Sequence, residues 1–277
     1  MAIRALWRAL VGLALIAVCA FSRGASPPAA ESGPPEIAGL RLGMKLADAM
    51  SIVKRRMPKA TINASEGYRT GDPGLDSLGP QSFTAQTGVS TRCYYGPNEQ
   101  DCPLDGVRWI AEDFITADTP GARGEETLTA IWRKQRFAPA DRPSVEATAI
   151  ALMTKYGEPQ LIRGEQGKSV TMSWARGEDG EAIGKGNPLL DACVGSGFDA
   201  DSSASIQRFR RGCGLTIQAK IIFYVVDTKF VEVLHVAMAD QDHWMTVNEQ
   251  LKKRLDGIRR DKQAEALKKA NSKPVDL

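Results

Sequence analysis

Histidine is nearly absent from this chain: His235 and His243 are its two copies. They lie on different predicted elements, so spacing alone makes no zinc site of them. Long apolar runs are also missing. The longest, Leu10 to Ala20, is too short for a membrane span and lacks the flanks of one. Neither sign of charge dominates, with 36 lysines and arginines against 33 carboxylates and a formal charge of +3. That near-balance argues globally against a nucleic-acid partner. No Cys-x-x-Cys pair is present, which argues against a dithiol redox centre.

Several short motifs fail on inspection. Gly164-Glu165-Gln166-Gly167-Lys168-Ser169 lacks the first glycine of a phosphate-binding loop, because Ile162 stands there; the segment reads as a hairpin tip. Asp199-Ala200-Asp201-Ser202-Ser203 lacks the glycine and the bidentate glutamate of a calcium loop, since Ala204 and Arg210 occupy those places. Gly195-Ser196-Gly197 lacks the glycine spacing of a nucleophile elbow. Glu112 and Asp113 adjoin on a predicted strand and so face opposite ways. His235 falls on the strand face shared with Val231, Val233 and Ala237, as a sheet or core histidine does. The sequence therefore assigns no catalytic residue, no metal ligand and no cofactor.

What is present begins with a leader. Arg4 and Arg8 precede the apolar stretch, and Val18-Cys19-Ala20 supplies small residues for cleavage. Residues 1–20 read as a signal peptide and 21–35 as a flexible Pro/Ala/Ser-rich leader, which predicts a periplasmic or secreted protein. A rival reading takes Ile16-Ala17-Val18-Cys19 as a lipobox with an acylated Cys19, although Val18 departs from the small residue expected there. Cleavage after Ala20 leaves Cys93, Cys102, Cys193 and Cys213. An even number in an oxidising space predicts two disulfides. Pairing within each half of the chain is the simplest of the possible connectivities.

Hydrophobic periodicity then predicts an α+β fold of two helix-plus-antiparallel-sheet units, 36–138 and 139–241, followed by a C-terminal helix and basic tail over 242–277. In the first unit Leu46, Ala49, Met50, Val53 and Met57 form a helical stripe; 63–82 reads as a polar loop and 83–95, 106–116 and 127–137 as strands. In the second, Asp141 or Ser144 caps a helix whose stripe is Val145, Ala149, Leu152, Met153 and Tyr156, and Gly157 ends it. Strands follow at 169–175, 215–226 and 230–239, with a long polar loop over 176–205. In the tail, Trp244, Val247, Leu251, Leu255 and Ile258 mark a docking stripe that fades into basic residues. The basic end reads as a solvated helix end, with weak contact to a membrane surface as its alternative.

Gly39-Leu40-Arg41-Leu42-Gly43-Met44, Ile131-Trp132-Arg133-Lys134-Gln135-Arg136-Phe137 and the 143–159 segment PSVEATAIALMTKYGEP resemble segments of secreted proteobacterial proteins with no assigned activity. More loosely, the units are similar to small outer-membrane assembly lipoproteins and to β-lactamase-inhibitor proteins. That likeness implies protein binding through a sheet face and no catalysis. Lys45 stands where those families place a Ser or Thr cap, and the cysteines differ, so no residue role is carried over.

The reading is thus a non-enzymatic exported protein that binds another envelope or extracellular protein through sheet faces and loops. Tyr94, Trp109, Trp132 and Trp174 are its candidate contact residues, each with a core role as the alternative. Two other readings stay open: an envelope hydrolase acting on polymer or peptide, and an assembly lipoprotein acylated at Cys19.

Overall fold

A computed structural model describes residues 34–66, 81–88, 91–92, 107–108, 112–195, 198–201 and 208–272. The first half runs helix α1 (Leu46–Arg56), β1 (Thr61–Glu66), β2 (Gln81–Thr87), a small ribbon of β3 (Thr91–Arg92) and β4 (Val107–Arg108), β5 (Glu112–Asp118) and β6 (Ala130–Arg136). The second runs α2 (Val145–Tyr156), β7 (Leu161–Glu165), β8 (Ser169–Gly177), the short α3 (Pro188–Val194), β9 (Cys213–Phe223) and β10 (Val231–Asp240), and α4 (Gln241–Asn271) closes the chain. The fold is α+β, with two helix-plus-antiparallel-sheet units and a C-terminal helix.

The two units share one sheet. Its order is β1-β2-β5-β6-β10-β9-β8-β7, antiparallel throughout. Each half contributes a four-stranded meander, and the fourth strands β6 and β10 pair at the centre, Ala130 opposite Ala239 and Arg136 opposite Val233. Read inward from either edge, the order of strands is the same.

Local chemistry explains both helices. Lys45 offers no side-chain cap to α1. Backbone does that work instead: Leu46 N–H donates to Glu126 O and Leu128 N–H to Met44 O, so the helix start is sewn to the segment entering β6. In α2, Ser144 Oγ accepts from Ala147 N–H at 3.1 Å. Gly157 ends that helix at φ +84°, in the region where a side chain is strained. Leu46, Ala49 and Val53 of α1 and Leu152 of α2 pack on Phe83, Ala85, Ile115, Ala117, Ile131, Val236, Met238, Ala219, Ile221 and Met172. That set is one face of the sheet and the main core.

The other face is covered over the second half and over the start of β6. Ala130, Trp132, Ala237 and Ala239 meet Phe198, Ala200 and Phe209, with Trp244 and Met245 of α4 packed alongside. Ala175 meets Ile183, Leu190, Val194 and the Cys193–Cys213 disulfide. That bond joins α3 to the start of β9 across a separation of 20 residues, and a closed loop of that size stabilises by about 3 kcal/mol. Beside it, Gly214 lies so close to β8 that a Cβ would sit 2.4 Å from the Gly177 carbonyl. Two buried glutamines tie the covering layer down. Ala200 N–H donates to Gln218 Oε1 at 2.7 Å, and Gln218 Nε2 donates to Val194 O at 3.1 Å. Gln241 Nε2 donates to Cys193 O and Thr216 Oγ1, both at 2.9 Å, while Arg210 N–H donates to Gln241 Oε1 at 3.1 Å.

Several elements differ from the sequence expectation. Residues 61–66, expected partly as loop, form edge strand β1. β7 occupies Leu161–Glu165, where no strand was expected, and its outer position leaves four of its five residues exposed. The 176–205 segment, expected as loop, holds helix α3, capped by Asn187 with Pro188 at its first turn. Cys19, Cys93 and Cys102 lie outside the described residues.

Candidate functional site

Antiparallel register places one residue from every strand of the large sheet in a continuous row on the face away from α1 and α2. The row reads Thr61, Gln86, Phe114, Lys134, His235, Lys220, Thr171, Arg163. Its two ends lie in different surroundings. Toward β7 the loop carrying Asp199 and Asp201 and the helix α3 pack over the sheet. Toward β1, Thr84, Gln86, Phe114 and Thr116 are half-exposed, and Phe114 belongs to none of the four apolar clusters. Phe114 is out of phase with its neighbours Ile115 and Ala117, which are fully buried on the opposite face.

Charges along the row are matched locally. Lys134 Nζ lies 2.9 Å from Glu112 Oε2, and Gln86 Nε2 donates to Glu112 Oε1 at 3.2 Å. The Glu112 side chain is only 6 % exposed, so these two partners hold a carboxylate that has left water. Lys220 pairs closely with Asp201, and Arg163 reaches Asp191 at 2.6 Å. On the helix side of β6, Arg133 grips Asp113 through two bonds of 2.9 and 2.6 Å.

His235 sits at the centre of the row, 9 % exposed. Burial drives its pKa down to about 4; Asp201 opposes that shift, while Lys134 and Lys220 on the flanking strands add to it. Its ring is hydrogen-bonded to the backbone of Ala200. The imidazole is thus neutral near pH 7 and ties down the covering loop, which agrees with the core role expected for it. Nearby, burial and a shared hydrogen bond with Asp201 raise the pKa of Asp199. For Asp201 burial works upward, but hydrogen bonds with Asp199 and Lys220 outweigh it and hold that carboxyl low.

A polar recess of about 170 Å³ opens beside this group, with Arg163, Thr171, Ser173, Asp199, Gln218 and Lys220 in its lining. It brings hydroxyls and a carboxylate together, but His235 does not line it, and Gln218 is spent on the covering layer. Among the described residues no three His, Cys, Asp or Glu side chains gather as a metal site.

The aromatic residues singled out from the sequence divide in two. Tyr94 and Trp109 lie outside the described residues. Trp132 is 4 % exposed and Trp174 is 6 % exposed. Trp132 donates through Nε1 to Asp199 O at 3.4 Å and packs on Phe198, so it anchors the covering loop. Trp174 faces the other way, donates to Gly157 O at 2.8 Å and packs on Tyr156 at the end of α2. Neither presents a ring to a partner in this state. Gln86, Phe114 and Lys134, which the sequence did not single out, are partly exposed positions of the row. The signal for Phe114 was its phase: a large ring on the alternate side of a strand whose core face is Ile115 and Ala117.

The chain matches no family model, no curated protein and no solved structure.

Proposed function

We propose that this protein is an exported, non-enzymatic binding protein whose protein partner docks on the open face of the first four-stranded meander. One observation carries the reading. The sheet is layered with helices along one face, but on its other face the covering layer lies over the second half and reaches into the first only at Ala130 and Trp132 of β6 and at Asp118, the end of β5. Phe114 belongs to none of that layer's apolar clusters, and it and Gln86 stay partly exposed. An aromatic ring, an amide and the Lys134–Glu112 pair then lie side by side on adjacent strands. An apolar anchor ringed by polar groups is how protein interfaces concentrate their binding energy. The rigidity of an eight-stranded sheet keeps the ordering cost of docking low.

Export is part of the same proposal. The charged and apolar leader supports it, and so does the Cys193–Cys213 disulfide, since such bonds persist in oxidising compartments. No helix among the described residues is long and apolar enough to cross a membrane.

The hydrolase reading draws on the Asp199–Asp201 pair and its recess. It is the weaker one, because Asp201 is neutralised by Lys220 and His235 is engaged with Ala200. The test is capture of a partner from an envelope extract with the wild-type protein and with Phe114→Ala. A single band lost on substitution supports the reading. Turnover of an envelope polymer with no captured protein overturns it.

A further inference from the structure

The last third of the molecule holds a feature that the sheet-face reading does not use. α4 spans 31 residues. Its first half is anchored: Asp240 caps it, Trp244 Nε1 donates to Asp118 Oδ2 at 2.7 Å, Arg211 reaches Thr246 Oγ1 at 2.7 Å, and Leu251 and Leu255 are buried with Ala122 and Ile258 alongside. From residue 260 to residue 272 every side chain is exposed. The helix therefore continues beyond its support. The packed half has already overcome the nucleation barrier, so the extension needs only propagation.

This arm is strongly cationic. Lys252 to Asn271 carry eight lysines and arginines against three carboxylates, a net +5 in a chain of net +3, so the remaining residues together carry −2. Two of the arginines are paired, Arg254 with Glu125 and Arg259 with Asp256. Lys252, Lys253, Arg260, Lys268 and Lys269 are all exposed. Leu267, 62 % exposed, stands directly before the last two of them.

We propose that this arm holds the protein against an anionic phospholipid surface, with the nearly neutral remainder of the chain, net −2, kept clear of it. The charge complementarity is direct: a headgroup layer attracts basic helices, and an exposed leucine among lysines enters the headgroup boundary. A nucleic acid fits less well. The cations surround the helix rather than lining one groove-facing stripe, and no aromatic side chain lies in Lys252–Asn271 to stack on a base.

The experiment uses the full chain as it is recovered from its host. Co-sedimentation is measured with vesicles of phosphatidylcholine alone and with vesicles containing about 30 mol % phosphatidylglycerol, at about 25 and about 250 mM salt. The variant replaces Lys252, Lys253, Arg260, Lys268 and Lys269 by Gln, and equal melting temperatures establish that it folds. The expected result is binding to the anionic vesicles alone, weakened by high salt and reduced at least about a hundredfold in the variant. Equal binding by the variant, or no binding to anionic vesicles at low salt, overturns the proposal. So does tighter binding to duplex DNA than to the vesicles. A cytoplasmic location with retained vesicle binding would remove the export reading and leave the lipid preference standing.

Discussion

Lys134 and Glu112 meet at 2.9 Å on adjacent strands of the central sheet, and the carboxylate is almost wholly withdrawn from water. A paired charge in that position is costly to orphan. Lys134→Ala should lower unfolding stability by roughly 1–3 kcal/mol, read by urea titration. The double variant Lys134→Met with Glu112→Leu should recover most of the loss. If both variants match wild type, the pair holds nothing in place.

Acid should loosen the covering loop through His235. Its folded pKa of about 4 lies below the ordinary value of 6.5, so the unfolded chain binds the proton more readily. Its contribution is fully present above the unfolded value and is lost as pH falls toward 4. The size is on the order of 3 kcal/mol between pH 6.5 and pH 4. Urea midpoints measured across this window should fall for wild type and stay flatter for His235→Gln. An equal slope in both proteins would place the acid sensitivity elsewhere.

Gln241 serves three groups at once: the buried Cys193 O and Thr216 Oγ1, and the part-buried Arg210 N–H. Gln241→Leu keeps the volume and leaves them unmatched. The expected loss is about 2–4 kcal/mol, with the start of α4 losing amide protection in hydrogen exchange. Unchanged protection over 208–246 would contradict this role.

Reduction of the Cys193–Cys213 bond should cost about 3 kcal/mol of stability. A digest made without reductant should give a cross-linked peptide containing both residues. Labelling of either by a thiol probe in protein from its native host would contradict the oxidised state.

The legible parts of this fold are those whose signals are local. α2 has a side-chain cap, a periodic stripe and a terminal glycine within one short stretch, and β9 and β10 are long and rich in branched residues. The Cys193–Cys213 pairing within one half was the simplest reading of spacing, and the bond is there. What escaped is set by distant partners. Thr61–Glu66 (TINASE) and Leu161–Glu165 (LIRGE) are strands because a neighbour pairs with them at the sheet edges, not because their own residues demand it. The fusion of both halves into one sheet depends on β6 meeting β10 about a hundred residues later, which no window of sequence displays. The partly exposed row carrying Phe114 escaped for a related reason. Aromatic bulk drew attention to Trp132 and Trp174, whose rings the fold buries, while Phe114 gains its place only once strand register sets its side of the sheet.

The central claim is that a partner occupies the sheet face carrying Phe114. A photo-activatable phenylalanine derivative placed at residue 114, and separately at Ile150 on the exposed surface of α2, tests it most directly. After illumination in an envelope extract, a discrete protein adduct from position 114 and none from position 150 is the predicted outcome. An adduct from position 150 with none from position 114 would contradict the account.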